Sequence, residues 1–262
     1  MKRIETIAAF NEIFRAHLSK KGFSNLEGLL FEAEGLIRQG TLFYEPVDGG
    51  VFFFQDEGDF FQTYYALKEG VASAACPRRE KPCILDFIYK PGKEGNFPAL
   101  LEEGGWSPYM KRRSASMDVG EAAARAVVLA REEDAEKITE LQWNHIDSYT
   151  GHCLSSDEMA EEIKNERVFA SYDGARLRGY LRYSSRSRHL ILENIVVSPG
   201  ARGEGAGREL VEMFMGAAKE KGFSTIRLWV REDNEAAIRL YNSFPFRFGD
   251  YECVNYILEE KR

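Results

Sequence analysis

Apolar residues recur along this chain in two patterns: three or four apart, as one face of a helix requires, and in short continuous or alternating runs, as buried strands require. Residues 6–20 carry helical spacing, and Ser24-Asn25-Leu26-Glu27 reads as a capping box opening a second helix that should end at Gly40. Strand-like runs follow at 41–45, 51–55, 60–67 and 83–89, then a short helix at 96–103 and a strand at 108–117. Farther on, 126–131 suits a strand and Glu132-Glu133-Asp134 a helix start, while Ser155-Ser156-Asp157-Glu158 supplies a capping box for a helix through Asn165. Residues 168–172 and 177–183 read as strands joined at Asp173-Gly174, a favoured hairpin dipeptide. The more uniformly apolar run 190–197 should be a central strand. Leu210, Val211, Phe214, Ala217 and Ala218 give a helix stopped by Gly222, 226–230 is a strand, Asn234 caps a helix through Asn242, and 252–258 closes as a strand. These elements predict an α+β fold with a mixed sheet.

The richest local signal is Arg202-Gly203-Glu204-Gly205-Ala206-Gly207, between the strand at 190–197 and the helix that runs to Lys221. Its three glycines let the backbone take positive φ and turn several N–H groups toward one point, beside a helix N-terminus that favours anions. A dinucleotide fingerprint would need glycine where Arg208 stands. A Walker A loop begun at Gly200 would need lysine and a hydroxyl where Ala206 and Gly207 stand. The spacing that fits is R-x-x-G-x-G, preceded by Glu193-Asn194-Ile195-Val196-Val197 and Ser198-Pro199.

That loop resembles the pyrophosphate loop of the GNAT superfamily of N-acetyltransferases, which bind acetyl-CoA. The element order over residues 125–258 is similar to the family's, and Asn234-Glu235-Ala236-Ala237-Ile238-Arg239-Leu240-Tyr241 matches its N-x-x-A-x-x-L-Y segment. Ser243-Phe244-Pro245-Phe246 departs from the usual Leu-Gly-Phe ending, which bears on acceptor contacts more than on CoA. The resemblance implies a GNAT fold in the C-terminal half and an acetyl-CoA-dependent N-acetyltransferase. The acetyl group would pass to a primary amine, on a small molecule or a peptide, by direct attack in a ternary complex without a metal.

It also implies roles. The backbone amides of Gly203, Glu204, Gly205, Ala206, Gly207 and Arg208 would hold pyrophosphate, with Arg202 assisting at the loop entrance. The strand Ile195-Val196-Val197 would meet the pantetheine arm, residues 195 and 197 through unpaired backbone groups, and one amide would polarise the thioester carbonyl. Glu193 is the candidate general base; the rival reading is an ion pair with Arg227 or Arg182. Tyr241 is the candidate general acid; its rival is a buried ring on an amphipathic helix. Asn234 would lie near CoA, although a helix N-cap already explains it. A non-catalytic acyl-CoA-binding module and a donor other than acetyl-CoA stay open as alternatives.

Composition narrows the setting. Splitting the 262 residues after Asp118 leaves 15 Lys+Arg against 17 Asp+Glu in the first part and 20 against 25 in the second, so neither is a basic nucleic-acid binder. Twelve of the 18 phenylalanines lie in the first part, so the two cores should differ. We expect a first domain over 1–118, α+β and similar to a degenerate GNAT unit that lacks the glycine loop, and a GNAT domain over 119–262. The four cysteines lack C-x-x-C spacing, no basic-then-apolar leader opens the chain, and no apolar run reaches the roughly 20 residues of a membrane helix. The expected setting is cytoplasmic, without metal, membrane or nucleic-acid partner, as a monomer or homodimer. Lys111-Arg112-Arg113 reads as a solvated face.

Overall fold

A computed structural model describes residues 1–18, 22–77, 79–120 and 125–260. The chain folds as two compact units, one of Met1–Arg112 with Tyr251–Arg262, the other of Arg113–Asp250. Its chain order is β1 (Lys2–Arg3), α1 (Ile7–His17), β2 (Phe23–Ser24), α2 (Glu27–Gln39), β3 (Leu42–Val47), β4 (Gly50–Asp56), β5 (Phe61–Leu67), β6 (Cys83–Tyr89), α3 (Phe97–Glu103) and β7 (Ser107–Asp118). Then come α4 (Ala135–His145), α5 (Ser156–Lys164), β8 (Val168–Asp173), β9 (Arg176–Arg186), β10 (His189–Val197), α6 (Ala206–Glu220), β11 (Thr225–Arg231), α7 (Glu235–Asn242) and β12 (Arg247–Leu258). Helices and mixed strand pairing make this an α+β fold.

In the first unit the strands run β1-β3-β4-β5-β6-β12, with β2 on β5. Period-two alternation splits the consecutive phenylalanines of β4, all fully buried, between the two faces of the sheet. Phe52 and Phe54 pack with Phe97, Leu101 and Trp106 on one face. Phe53 packs with Leu29, Leu36 and Phe10 on the other, its ring edge-on to Phe10 at 5.6 Å. This two-sided core accounts for the phenylalanine skew. Thr6 caps α1, accepting from the Ala9 N–H at 3.1 Å; the helix ends at His17, and the last two residues of the expected span lie outside the described residues.

The expected capping box at Ser24–Glu27 is not formed: Phe23 and Ser24 pair with β5, and α2 begins only at Glu27 with Leu26 as its N-cap. β5 and β6 are parallel and paired only from Phe61↔Cys83 to Thr63↔Leu85, after which the ladder stops although both strands continue. Residues 23–25 lie along the edge of β5 that β6 has left. Phe23 and Ser24 pair with Leu67 and Ala66. The Asn25 backbone N–H donates to the Tyr65 carbonyl, and its side-chain oxygen accepts from the Tyr65 N–H at 2.7 Å. The same amide donates to the carbonyls of Thr63 on β5, at 3.4 Å, and Asp86 on β6, at 3.2 Å. One side chain thus bridges both strands across the gap.

The second unit orders its strands β7-β11-β10-β9-β8. Leu210, Val211, Phe214 and Ala218 of α6 cover one face, with Leu181, Leu190, Leu192, Ile226 and Leu228 beneath them. Ile138, Met159 and Ile163 of α4 and α5 cover Val168, Ala170, Tyr180 and Val196 on the other. The capping box at Ser155 is present as expected, with the Glu158 N–H donating to Ser155 Oγ and the Ser155 N–H to the Glu158 carboxylate.

Three further expectations differ from the structure. The strand expected at 126–131 is reduced to a bridge at Leu129↔Phe169. Val128 and Leu129 are exposed, and the chain turns into a 3₁₀ helix at Glu132 before a ladder can extend. The unit boundaries depart from a division at residue 118. Tyr256 and Leu258 pack into the first core while β12 pairs with β6 from Glu252↔Tyr89 to Leu258↔Cys83, and Ala115 and Met117 of β7 pack into the second. The basic run at 111–113 is engaged, not simply solvated: Lys111 pairs with Glu252 at 3.1 Å, Arg112 with Asp86 at 3.3 Å, and Arg113 lies over the Phe248 ring.

Replacing Asn25 by Ala removes the bridge and leaves the buried Tyr65 N–H unpaired. We expect a loss of about 1–3 kcal/mol, seen as a lower unfolding midpoint and faster amide exchange at Tyr65; wild-type exchange there would mean that Asn25 does not hold the gap.

Candidate active site

The site is organised by β10. Its pairing with β9 runs Leu192↔Tyr183 and then Asn194↔Arg182, so Glu193 is an extra residue, a β-bulge. Its parallel pairing with β11 covers His189↔Thr225 to Leu192↔Leu228 and ends there, although β10 continues to Val197 and β11 to Arg231. Beyond the bulge the Ser198 N–H donates to the Arg178 carbonyl on β9. Because strand residues alternate their hydrogen-bonding direction, Val196 and Asn194 also address β9. The backbone groups of Ile195 and Val197 therefore face the side that β11 has left.

After β10 come a 3₁₀ turn at Pro199–Ala201 and the glycine loop. Gly203 and Gly205 have φ of +82° and +85°, in the left-handed region that glycine reaches without strain. A Cβ on either would project into open space, and Arg202 through Gly205 are exposed. Gly205 is the N-cap of α6 and supplies no side chain to the first-turn amides. Gly207 sits tightly: a Cβ there would stand 3.3 Å from Leu240 Cδ2 and 3.6 Å from Val197 Cγ2. That contact brings the end of β10, the start of α6 and the middle of α7 together. Positive-φ glycines, uncapped first-turn amides and a strand edge with unpaired N–H and C=O groups suit a phosphate-bearing ligand with an extended, amide-containing arm.

The named side chains are placed as follows. The Glu193 carboxylate is half-buried and accepts from the Ser184 hydroxyl. Among the described residues neither arginine considered as its structural partner forms an ion pair with it, and Arg182 donates instead to Asn194 Oδ1 at 2.9 and 3.2 Å. Tyr241 is 3% exposed, its ring edge-on to Phe246, and burial pushes its phenol well above the usual tyrosine range. It is therefore protonated at neutral pH. Phe246 is buried despite the altered sequence before it. Asn234 Oδ1 accepts from the Ala237 N–H at 3.0 Å, so the N-cap is made. Arg202 makes no ion pair among the described residues, whereas the Arg208 guanidinium lies over Phe244 at 4.9 Å and 3.6 Å from Glu212.

Sequence reading missed a buried tether. Arg182 and Asn194, opposed across β9 and β10 and at most 7% exposed, donate to successive carbonyls of the segment between α4 and α5. Asn194 Nδ2 reaches Gly151 O and Arg182 Nη2 reaches His152 O, each at 3.0 Å. His152 is held at φ +48°, uncommon outside glycine. The segment is tied further by Thr150, whose N–H and hydroxyl donate to Asp147 Oδ1, and by Gln142 and Trp143, which donate to Leu154 O. Nearby, burial pushes the Cys153 thiol up to about 11, which leaves it protonated and a poor nucleophile at neutral pH. A polar pair opposed in the middle of two strands was the available signal.

Residues 122–246 match the acetyltransferase (GNAT) family, and the second unit belongs to it. Streptothricin acetyltransferase of Streptomyces lavendulae is 38% identical over 74 residues, 28% of this chain and 39% of that protein. The ribosomal protein bS18-alanine N-acetyltransferase of Escherichia coli strain K12 is 42% identical over 55 residues, 21% of this chain and 37% of that one. The chain thus spans about two fifths of the length of these curated relatives. An acetyltransferase from the GNAT family from Colwellia psychrerythraea shares the fold at a TM-score of 0.60 and 13% identity, over 98% of this chain and 99% of that one. Among the described residues no group of His, Cys, Asp and Glu could hold a metal ion, and no helix is long and apolar enough to cross a membrane.

Replacing Asn194 by Ala leaves Arg182 and the Gly151 carbonyl short of a partner. The expected cost is about 1–3 kcal/mol, with faster amide exchange across residues 151–154; a segment as protected as in wild type would show that the tether does not hold it.

Proposed function

We propose that this protein is an acetyl-CoA-dependent N-acetyltransferase whose second unit passes an acetyl group to a primary amine by direct attack. The observation that carries the reading is the end of β10–β11 pairing at Leu192↔Leu228, on the strand that leads into the glycine loop. Acetyl-CoA, when bound, supplies the acetyl group as an activated thioester. The amides of residues 203–208 bind pyrophosphate, and Arg202, free of any ion pair among the described residues, adds charge at the entrance. Ile195 and Val197 orient the pantetheine arm through their unpaired backbone groups, with Val196 between them holding the strand to β9. A fixed strand amide that polarises the carbonyl is worth roughly 3 kcal/mol of transition-state stabilisation.

Glu193 takes the proton of the amine. Its place supports this: the carboxylate sits at the bulge beside the strand edge that β11 has left, half-buried, held by the Ser184 hydroxyl and in no ion pair among the described residues. Tyr241 donates its phenolic proton to the departing sulfur. Its raised pKa keeps that proton in place at neutral pH but makes it a weaker acid than an ordinary tyrosine. The protonated Cys153 supports a route without a covalent enzyme intermediate. For Asn234 the side-chain oxygen is committed to Ala237, so a CoA contact would use its amide N–H₂. The curated relatives are named for acceptors as different as streptothricin and a ribosomal protein, so small and peptide amines both belong in the assay. The four free cysteines support a reducing compartment, and we assign the protein to the cytoplasm.

For the first unit we propose a GNAT-like scaffold that binds no CoA. Its β5–β6 pair separates as β10–β11 does, but residues 23–25 fill the edge that is bare at Ile195 and Val197. Calorimetry should therefore find one CoA per chain. A second site would refute the scaffold reading.

Release of CoA thiol across a panel of small and peptide amines tests the main reading, and binding without turnover on any amine would identify a non-catalytic module. Glu193→Gln should lower turnover roughly 10²- to 10⁴-fold with CoA affinity nearly intact; an unaltered pH–rate profile in that variant would exclude Glu193 as the base.

A further inference from the structure

We propose that Arg178 is a positioning residue that aims the amides of the glycine loop at the pyrophosphate; this rests on the CoA reading of the loop. Arg178 lies on β9 with its side chain 16% exposed, and it meets the loop at three levels. Its backbone carbonyl accepts from the Ser198 N–H, where the chain leaves β10 for the loop. Its Nη2 donates to the Glu204 carbonyl at the crest, at 2.8 Å. Its Nη1 donates to Glu209 Oε2 in the first turn of α6, at 3.4 Å.

The crest contact decides direction. No peptide bond among the described residues is cis, so the carbonyl of Glu204 and the N–H of Gly205 point opposite ways across one rigid plane. With the carbonyl drawn down onto Arg178, the Gly205 N–H is turned away from β9, toward the open side of the loop. That peptide would otherwise rotate about ψ of Glu204 and φ of Gly205, and Gly205, at φ +85°, lacks the Cβ that would restrict it. Fixing the plane beforehand removes an ordering cost that ligand binding would otherwise carry.

The second effect is electrostatic. Glu204 and Glu209 place two carboxylates beside a site meant for an anion. The Arg178 guanidinium stands between them, its Nε 3.7 Å from Glu204 Oε2 and its Nη1 on Glu209. Glu209 is held further by the Ser171 hydroxyl at 2.8 Å and by Arg125 at 3.0 Å. Losing Arg178 would release the crest peptide and leave the Glu204 charge uncompensated near the phosphates.

Arg178→Met, which keeps the aliphatic stem and removes the donors, should raise the Kd for CoA and the KM for acetyl-CoA by about tenfold or more. The acceptor KM, kcat and unfolding midpoint should stay near wild type, a split that a merely structural residue would not give. Arg178→Lys, which keeps the charge but cannot reach both loop and helix, should show a smaller loss of the same kind and carries the test if the Met variant does not fold. Unchanged CoA affinity in a folded variant, or a fall in kcat with affinity unchanged, overturns the proposal. A wild-type protein that does not bind CoA would instead overturn the reading on which it rests.

Discussion

The second unit depends on one extra residue in a strand. Before Glu193, Leu190 and Leu192 pack beneath α6; after it, Val196 packs beneath α4 and α5, while Ile195 takes the α6 side. Because strand side chains alternate with a period of two, only an inserted residue can reverse which face the odd and even positions serve. The same insertion coincides with the end of pairing to β11. A carboxylate on a central strand, an unpaired backbone edge beside it and a buried asparagine reaching Gly151 thus have a common origin. The glycine loop begins nine residues after Glu193 and α6 thirteen after it, so little chain separates the proposed base from the proposed phosphate cradle.

The first unit shows what becomes of the same geometry when the chain itself takes the vacant edge. Parallel strands that separate expose donors and acceptors, and buried groups of that kind must find partners. In the second unit β11 has left that side of Ile195 and Val197, which is where we propose that a ligand supplies the partners. In the first, Asn25 and the two residues before it supply them. The phenylalanine-rich core fits this difference. Rings packed on both faces of β4 give the first unit a rigid interior, with Trp106 anchored by its indole N–H to the Ala74 carbonyl.

Much of the fold was legible because its signals are local. Thr6, Ser155 with Glu158, Asn234, Gly40 and Gly222 declare helix ends through groups a few residues away, and the structure uses each of them. The glycine loop was legible for the same reason. What sequence could not reveal depends on distant partners. Ser24–Glu27 has the spacing of a capping box, but the sheet takes Ser24 into a strand and fixes Asn25 beside it with four hydrogen bonds. Residues 126–131 have strand composition without enough neighbours to pair with. Arg182 was weighed only as a partner for Glu193 and Asn194 carried no role, and their meaning lies in two carbonyls 30 and 43 positions earlier.

The place of β12 has a consequence for the making of this protein. Residues 251–258 complete the first sheet by pairing with β6, more than 160 positions earlier in the chain. A ribosome synthesising this polypeptide therefore emits β6 with one edge bare and must translate all of Arg113–Asp250 before the strand that covers it exists. The contiguous second unit can close on itself during that interval, while the first waits with unpaired backbone groups, a template for wrong pairing. Assembly of this chain runs against the order of its synthesis: the unit begun first is the unit finished last.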